Sequence, residues 1–222
     1  MEDYIKTLEK ELVRNANSEI ALGQKAYMKN RFEFYGIKSP IRKEVQRPFL
    51  HKEALPPKDD LEGIVKMLWK KPQREFQYFS QELTFKYVKK MEKKDIALFE
   101  FMVVNKSWWD TVDYISVKLM GEYFTKYPDQ RDSLIEKWIA SGNMWLQRSA
   151  LLFQLNYKEE LDTEFLTYVI NSLLGSKEFF INKAIGWVLR QYSKTNPDWV
   201  IDFTGKTKLA NLSNREAFRL IK

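Results

Sequence analysis

The sequence predicts an all-α fold on three grounds. Glycine and proline, which interrupt helices, number only 8 and 7 among 222 residues. Apolar residues recur three and four positions apart, a spacing that places them on one face of a helix. Strand-like alternation of apolar and polar residues is not sustained anywhere in the chain. We therefore expect roughly a dozen helices, no sheet and a single domain over residues 1–222.

Short breaks separate the predicted helices. Several of them pair a proline or a glycine with an aspartate, serine or asparagine that can cap the next helix. The breaks lie at 38–40, 55–60, 70–73, 126–130, 141–143, 174–178 and 195–198. All of these segments are short, so the sequence predicts no domain boundary.

Four tyrosines mark an internal repeat of helices. Tyr87, Tyr123, Tyr157 and Tyr192 lie 36, 34 and 35 residues apart. Apolar or small residues stand four, eight and eleven positions before each tyrosine, so one helix face recurs four times. Such a period, with two or three helices per unit, is typical of α-solenoids. The sequence therefore predicts an α-solenoid, whose stacked helices offer a long concave surface.

One position of the repeat changes its chemistry. Ten residues before the tyrosines stand Gln77, Asp113, Gln147 and Asn182. An amide suits a structural hydrogen bond, whereas the carboxylate of Asp113 places a negative charge in a basic chain. Trp109 precedes Asp113 by four residues, so both lie at the edge of an apolar helix face that includes Trp108. We expect Trp108 in the core and interpret Trp109 and Asp113 as a candidate functional pair.

A second candidate surface lies on the predicted helix 177–194. When the helix is turned at about 100° per residue, a stripe of aromatic and cationic side chains lies opposite its core face. The stripe consists of Phe180, Lys183, Trp187, Arg190 and Lys194. Aromatic rings stack on bases or sugars and cations meet phosphates, which favours a nucleic-acid surface. Packing between helices explains the same residues, so both interpretations stay open at this point.

Arg148 lies on a predicted apolar helix, 143–157, on the side away from its core face. A charge in such surroundings needs a partner, because burying an unpaired charge is costly. A buried carboxylate and a DNA phosphate both match the planar guanidinium group. The sequence alone does not choose between these two partners.

Composition excludes several kinds of site. The chain has no cysteine, which rules out disulfides and thiolate zinc sites. Its one histidine, His51, cannot form a multi-histidine metal site, and we expect neither a metal nor a cofactor. The net charge of +7 favours a polyanionic partner, although a merely basic soluble protein has the same charge. The chain shows no apolar leader and no membrane-length apolar run, so we expect a cytoplasmic protein.

Four segments of the chain resemble one protein family. They are AYMKNRFEFYGIKSP (26–40), NKSWWDTVD (105–113), WLQRSALLFQL (145–155) and KEFFINKAIGWVLRQYSKTNPD (177–198). In this order and spacing they are similar to the DNA alkylation repair proteins with HEAT-like repeats, the alkylpurine DNA glycosylases of AlkD type. The resemblance covers nearly the whole chain. It implies a right-handed solenoid with a concave, basic DNA-binding surface.

The resemblance also implies a reaction and the residues that serve it. The family hydrolyses the N-glycosidic bond of N3- and N7-alkylpurines in duplex DNA. The implied residues are the catalytic Asp113, the cleft aromatics Trp109, Trp187 and Tyr27, and the phosphate-contacting Arg148. No cofactor is implied, and we expect a monomer because the groove that holds the lesion must stay open.

The basic stripe adds two candidates to this set. Lys183 and Arg190 are expected to contact the DNA backbone. A non-catalytic DNA-binding or protein-interaction scaffold is the alternative function, because its helices and its basic stripe would have the same sequence pattern. In that case the carboxylate of Asp113 would be structural.

Overall fold

The computed structural model of the chain describes residues 1–221, and it is predominantly helical. These residues form fourteen α-helical segments, which are joined by short turns, 3-10 segments and one π-helical turn. The described part of the chain contains no strand, and its one isolated bridge pairs Glu33 with Gln73. The predicted all-α class is confirmed. Over residues 1–221, no helix is both long enough and apolar enough to cross a membrane.

Residues Met1–Met91 form one compact unit. Its helices are α1 Glu2–Arg14, α2 Ser18–Tyr27, α3 Ser39–Gln46, α4 Leu61–Lys70 and α5 Arg74–Phe85. Helix α1 buries Ile5, Leu8 and Leu12, whose spacing of three and four places them on one face. Asn17 caps α2, because its side chain accepts a hydrogen bond from the Ile20 amide at 3.0 Å.

A buried carboxylate fastens the loop between α2 and α3. Glu75 on α5 accepts hydrogen bonds from the backbone amides of Tyr35 at 3.1 Å, Gly36 at 3.1 Å and Ile37 at 3.3 Å. Burial raises the pKa of Glu75, while these backbone hydrogen bonds oppose the rise. Gly36 has a φ of +83°, and a Cβ at this position would meet the Asn17 carbonyl oxygen at 1.9 Å. These contacts fix the segment that carries the first of the four family-like motifs.

The second compact unit begins at Glu92. Its helices are α6 Ile96–Val104, α7 Trp109–Tyr114, α8 Gly121–Lys126, α9 Arg131–Ala140, α10 Met144–Leu152, α11 Thr163–Ser172, α12 Phe179–Tyr192, α13 Pro197–Lys206 and α14 Asn211–Ala217. A π-helical turn, Ile115–Met120, joins α7 and α8 into one continuous helix. Such turns are rare in proteins and frequent at functional sites. This turn directly follows the segment that carries Trp109 and Asp113.

The helix face predicted from the repeat is buried at all four occurrences. The residues four, eight and eleven positions before each tyrosine are at most 8% exposed. The hydroxyl groups of Tyr87 and Tyr123 donate to the backbone carbonyls of Pro56 and Lys93, which lie 31 and 30 residues earlier. The sequence repeat is therefore a repeat of burial and of hydrogen bonding. The right-handed, concave arrangement of the helical repeats stays a prediction.

Candidate nucleic-acid interface and active site

Each repeat has one position ten residues before its tyrosine. At three of these four positions the residue has an amide side chain, which donates to nearby backbone carbonyl groups. Gln77, Gln147 and Asn182 donate their side-chain N–H groups to carbonyl oxygens near the end of the preceding helix. The acceptors are Trp69 at 3.2 Å, Lys71 at 3.1 Å, Ile139 at 3.0 Å and Ser176 at 2.8 Å. A helix leaves its last carbonyls without partners, so these amides stabilise the helix ends. At these three positions the amide is structural, as the sequence predicted.

Asp113 occupies the fourth such position and cannot make this contact, because a carboxylate has no donor. It pairs instead with Arg148 of the next repeat. Arg148 Nε donates to Oδ1 of Asp113 at 2.7 Å, and Nη2 donates to Oδ2 at 2.9 Å. The side chain of Arg148 is 3% exposed, whereas that of Asp113 keeps 16% of its surface exposed. This two-point pair fixes both the position and the orientation of the carboxylate.

Arg148 also connects the pair to a third helix. Its Nη1 donates to the carbonyl oxygen of Phe180 at 2.6 Å. Three of its five N–H groups are therefore engaged, and α7, α10 and α12 are linked through one guanidinium. Of the two partners that the sequence left open for Arg148, the structure provides the carboxylate. The phosphate contact that the resemblance implies for Arg148 stays a prediction.

Opposing effects set the charge state of Asp113. Burial raises the pKa of its carboxyl group, and the nearby charge of Asp110 acts in the same direction. The hydrogen bonds and the positive charge of Arg148 oppose the rise, because they favour the ionised form. Burial dominates, so the pKa of Asp113 lies above the ordinary aspartate value of 3.8. The exposed part of the carboxylate remains able to accept a hydrogen bond from water.

An aromatic cluster lies against this pair; it corrects one prediction and decides between two interpretations that the sequence left open. Trp108, Trp145 and Phe180 have ring centroids between 5.0 and 5.7 Å apart, and the Arg148 guanidinium lies 5.8 Å from the Phe180 ring. Trp108 is half-buried rather than a core residue, because it caps the N-terminus of α7 and packs sideways onto the other two rings. Phe180 packs between helices, so for this member of the stripe the packing interpretation holds.

The other two tryptophans of the candidate site lie on helices that Arg148 links. Trp109 is the first residue of α7, one turn before Asp113, and Trp187 lies in the middle of α12. Both indoles are half-buried. The structure thus places each of them on a helix that is hydrogen-bonded to the Asp113–Arg148 pair. Asp110 lies in the first turn of α7, where a carboxylate interacts favourably with the helix dipole.

Tyr27 belongs to the first compact unit, where it ends α2 and is 68% exposed. Together with Gln24, Phe34, Arg42 and Tyr78 it lines an open cavity of about 260 Å³. The guanidinium of Arg42 lies 4.8 Å from the centroid of the Tyr78 ring, so aromatic and cationic groups meet in this cavity. The role of Tyr27 at a DNA lesion stays a prediction.

Lys183 and Arg190, the expected DNA-backbone contacts, share one carboxylate. Lys183 Nζ lies 2.7 Å from Oε1 of Glu216, and Arg190 Nη1 donates a hydrogen bond to Oε2. Glu216 lies on α14 with 9% of its side chain exposed, and the hydrogen bond from Lys183 lowers its pKa. Sequence reasoning missed Glu216, because the spacing of the two cations shows their common face but not the helix that covers it. Their phosphate contacts stay a prediction.

Comparison with known proteins places the chain in a family. A sequence profile described as DNA alkylation repair enzyme matches residues 8–221. Among solved structures, the chain is similar to a predicted DNA alkylation repair enzyme from Enterococcus faecalis, with 33% identity and a TM-score of 0.87. That similarity covers 93% of this chain and 97% of the other. Comparison with curated proteins gives no match. The chain therefore belongs to the DNA alkylation repair enzyme family.

Proposed function

We propose that this family member is a DNA glycosylase that hydrolyses the N-glycosidic bond of cationic N3- and N7-alkylpurines in duplex DNA. Membership of the alkylation repair family supports a role on alkylated DNA. The finer proposal depends on one observation, the carboxylate at position 113. Among four equivalent repeat positions, only Asp113 is charged, and it is oriented by Arg148 while part of it stays exposed.

The chemistry of the substrate matches a single carboxylate. An N3- or N7-alkylpurine already carries a positive charge, so the base can leave without a strong general acid. The remaining need is to stabilise the positive charge that grows on the sugar and to orient a water molecule. The charge of Asp113 attracts an oxocarbenium-like sugar, and its oxygen accepts a hydrogen bond from the attacking water.

The bond changes follow from these roles. The bond between C1′ of the sugar and the purine nitrogen breaks, and the base departs as a neutral molecule with the bonding electron pair. The oxygen of the water forms the new bond to C1′, while the water proton passes to the carboxylate of Asp113. Solvent takes this proton before the next reaction, because the hydrogen bonds and the positive charge of Arg148 favour the ionised form of Asp113.

Arg148 acts in this proposal as a positioning residue. Its two hydrogen bonds hold the carboxylate in one orientation and favour its ionised form. The indole faces of Trp109 and Trp187 attract a cationic sugar or base, by roughly 0.5 to 2 kcal/mol each. Tyr27 is proposed as a further aromatic residue that contacts the DNA.

Lys183 and Arg190 are proposed to bind the DNA backbone. Their side chains are 34% and 20% exposed although both pair with Glu216. Two cations share one carboxylate here, so one positive charge remains to attract a phosphate. The net charge of +7 supports the same partner, and we propose that a monomer binds duplex DNA.

Release of 7-methylguanine from a duplex tests the proposal, with spontaneous release subtracted. Asp113→Asn restores the amide of the other repeats and should lower the single-turnover rate by about 10²-fold or more while DNA binding is retained. Asp110→Asn is the matched control, because it removes a carboxylate from the first turn of the same helix. Release by folded Asp113→Asn at the wild-type rate would refute the catalytic role of Asp113.

A non-catalytic DNA-binding scaffold is the second candidate function. The Asp113–Arg148 pair itself favours it, because a two-point ion pair between helices also serves as a purely structural link. A scaffold binds duplex DNA but releases no more base than the same duplex loses without protein. The comparison of wild-type protein with a protein-free control therefore decides between the two functions.

A further inference from the structure

The C-terminal helix α14 packs closely against α12, the helix that carries Trp187. The closest approach is at Gly186, where a Cβ would meet the Cβ of Glu216 at 2.5 Å and the carbonyl oxygen of Ser213 at 2.8 Å. Side chains do not approach each other so closely, so only glycine permits this packing. Ser213 Oγ also donates to the carbonyl oxygen of Asn182 at 2.8 Å.

Glu216 extends this contact into the charged part of α12. Lys183, Gly186 and Arg190 are three and four residues apart, so they line one face of the helix. Lys183 Nζ lies 2.7 Å from one oxygen of Glu216, and Arg190 Nη1 binds the other oxygen. A single carboxylate therefore holds two cations about two helical turns apart. Both long side chains lose rotational freedom in this arrangement.

Trp187 lies directly beside the clamped cations. It follows Lys183 by four residues and precedes Arg190 by three. Successive residues are rotated by about 100° around the helix axis. Seen from Lys183, Trp187 therefore lies about 40° to one side of the axis and Gly186 lies about 60° to the other. The two cations therefore stand between α14 and the indole ring. A shift of α14 would change the position of the cations and of the helix face that presents Trp187.

We propose that Glu216 is a positioning residue for base excision and that the C-terminal helix is part of the excision site. By holding Lys183 and Arg190, Glu216 fixes their donor groups and the face of α12 that carries Trp187. This inference rests on the proposed glycosylase function. It differs from a purely electrostatic role, in which the carboxylate competes with DNA phosphates and its removal only strengthens binding.

Glu216→Gln separates these two roles, because it removes the charge and keeps the side-chain volume. With all lesion DNA bound, the release rate of 7-methylguanine should fall by about tenfold, since misplaced groups slow the reaction even in the bound state. The affinity for undamaged duplex should be unchanged or higher. Asp202→Asn is the matched control, because it removes the carboxylate of an exposed ion pair with Lys206 in the same unit.

Two results with Glu216→Gln would overturn the inference. One is an unchanged release rate at saturating protein. The other is a slower release that returns to the wild-type rate when more protein is added, because Glu216 would then act on affinity alone. If the wild-type protein itself releases no base, the proposed glycosylase function fails. Normal release by Glu216→Gln beside an active wild type refutes only the role of Glu216.

Gly186→Ala tests the same inference without altering any charge. The added methyl group cannot fit against Ser213 and Glu216, so α14 should move away from α12. We expect faster protease cleavage in the segment after α13 and the same loss of release rate as with Glu216→Gln. Far-UV circular dichroism reports whether the remaining helices stay folded. A displaced α14 combined with wild-type release would contradict the proposal.

Discussion

Replacement of Arg148 by methionine should lower the free energy of unfolding by about 3 kcal/mol. Methionine keeps most of the apolar stem of the side chain but removes all three hydrogen bonds of the guanidinium. Breaking a buried pair costs about 3 to 5 kcal/mol, because the other charge is left without a partner. The side chain of Asp113 is 16% exposed, so water can solvate part of its charge. We therefore expect a cost at the lower end of this range of free energies.

A double-mutant cycle isolates the contribution of the pair. Asp113→Leu combined with Arg148→Met removes both charges, so the double variant should lose less stability than the sum of the single variants. We expect a coupling free energy of about 2 kcal/mol, because the residues are in direct contact. Urea unfolding followed by circular dichroism and by tryptophan fluorescence provides the measurement, and coincident curves support the two-state treatment that it needs.

The same cycle can refute this reasoning. If Arg148→Met costs less than about 1 kcal/mol and the two substitutions are additive, the pair does not hold the three helices together. Arg148 would then be available to another anion, as the family resemblance first implied. A large cost in the single variant with full additivity would instead locate the effect in the hydrogen bond to the Phe180 carbonyl.

Two further predictions concern pH and salt. The rate of base release should decline at acid pH with a midpoint above 3.8, because burial raises the pKa of Asp113 and protonation removes its charge. Arg148→Met should move that midpoint higher still, since the guanidinium opposes the rise in pKa. The pH–rate profiles of the wild type and of Arg148→Met check both expectations. Lys183→Gln and Arg190→Gln should each reduce the salt slope of DNA binding by less than about one unit, because both cations already share Glu216. Anisotropy titrations at several salt concentrations measure the slope, and a full unit for each variant would show that Glu216 releases both cations on DNA.

The helices and their buried faces were predictable because the pattern occurs four times. A single run of apolar residues is ambiguous, but the same spacing before Tyr87, Tyr123, Tyr157 and Tyr192 leaves one consistent helix face. The same comparison identified Asp113 as the exception among capping amides. Both inferences need only local geometry, since spacing along a helix decides which side chains share a face.

The partners of the charged residues were not predictable in the same way. Arg148 and Lys183 both stand nine residues before a repeat tyrosine, so the sequence shows them as equivalent cations. Their partners lie 35 residues earlier, at Asp113, and 33 residues later, at Glu216. Which carboxylate each cation reaches depends on how neighbouring helices stack. The periodicity within one helix does not show which residues of a neighbouring helix lie close to it. Glu216, in addition, lies outside the repeat.

The change from amide to carboxylate at Asp113 has a consequence for the preceding helix, α6. That helix lacks the amide cap which the other repeats provide. Side chains from the loop after α6 donate to its last carbonyl groups instead. Asn105 Nδ2 donates to the Phe101 carbonyl at 2.9 Å, and Ser107 Oγ donates to the Val103 carbonyl at 2.6 Å. The end of α6 is therefore capped by side chains of the loop that follows it. This repeat can therefore carry a carboxylate at position 113 without leaving the end of the preceding helix uncapped.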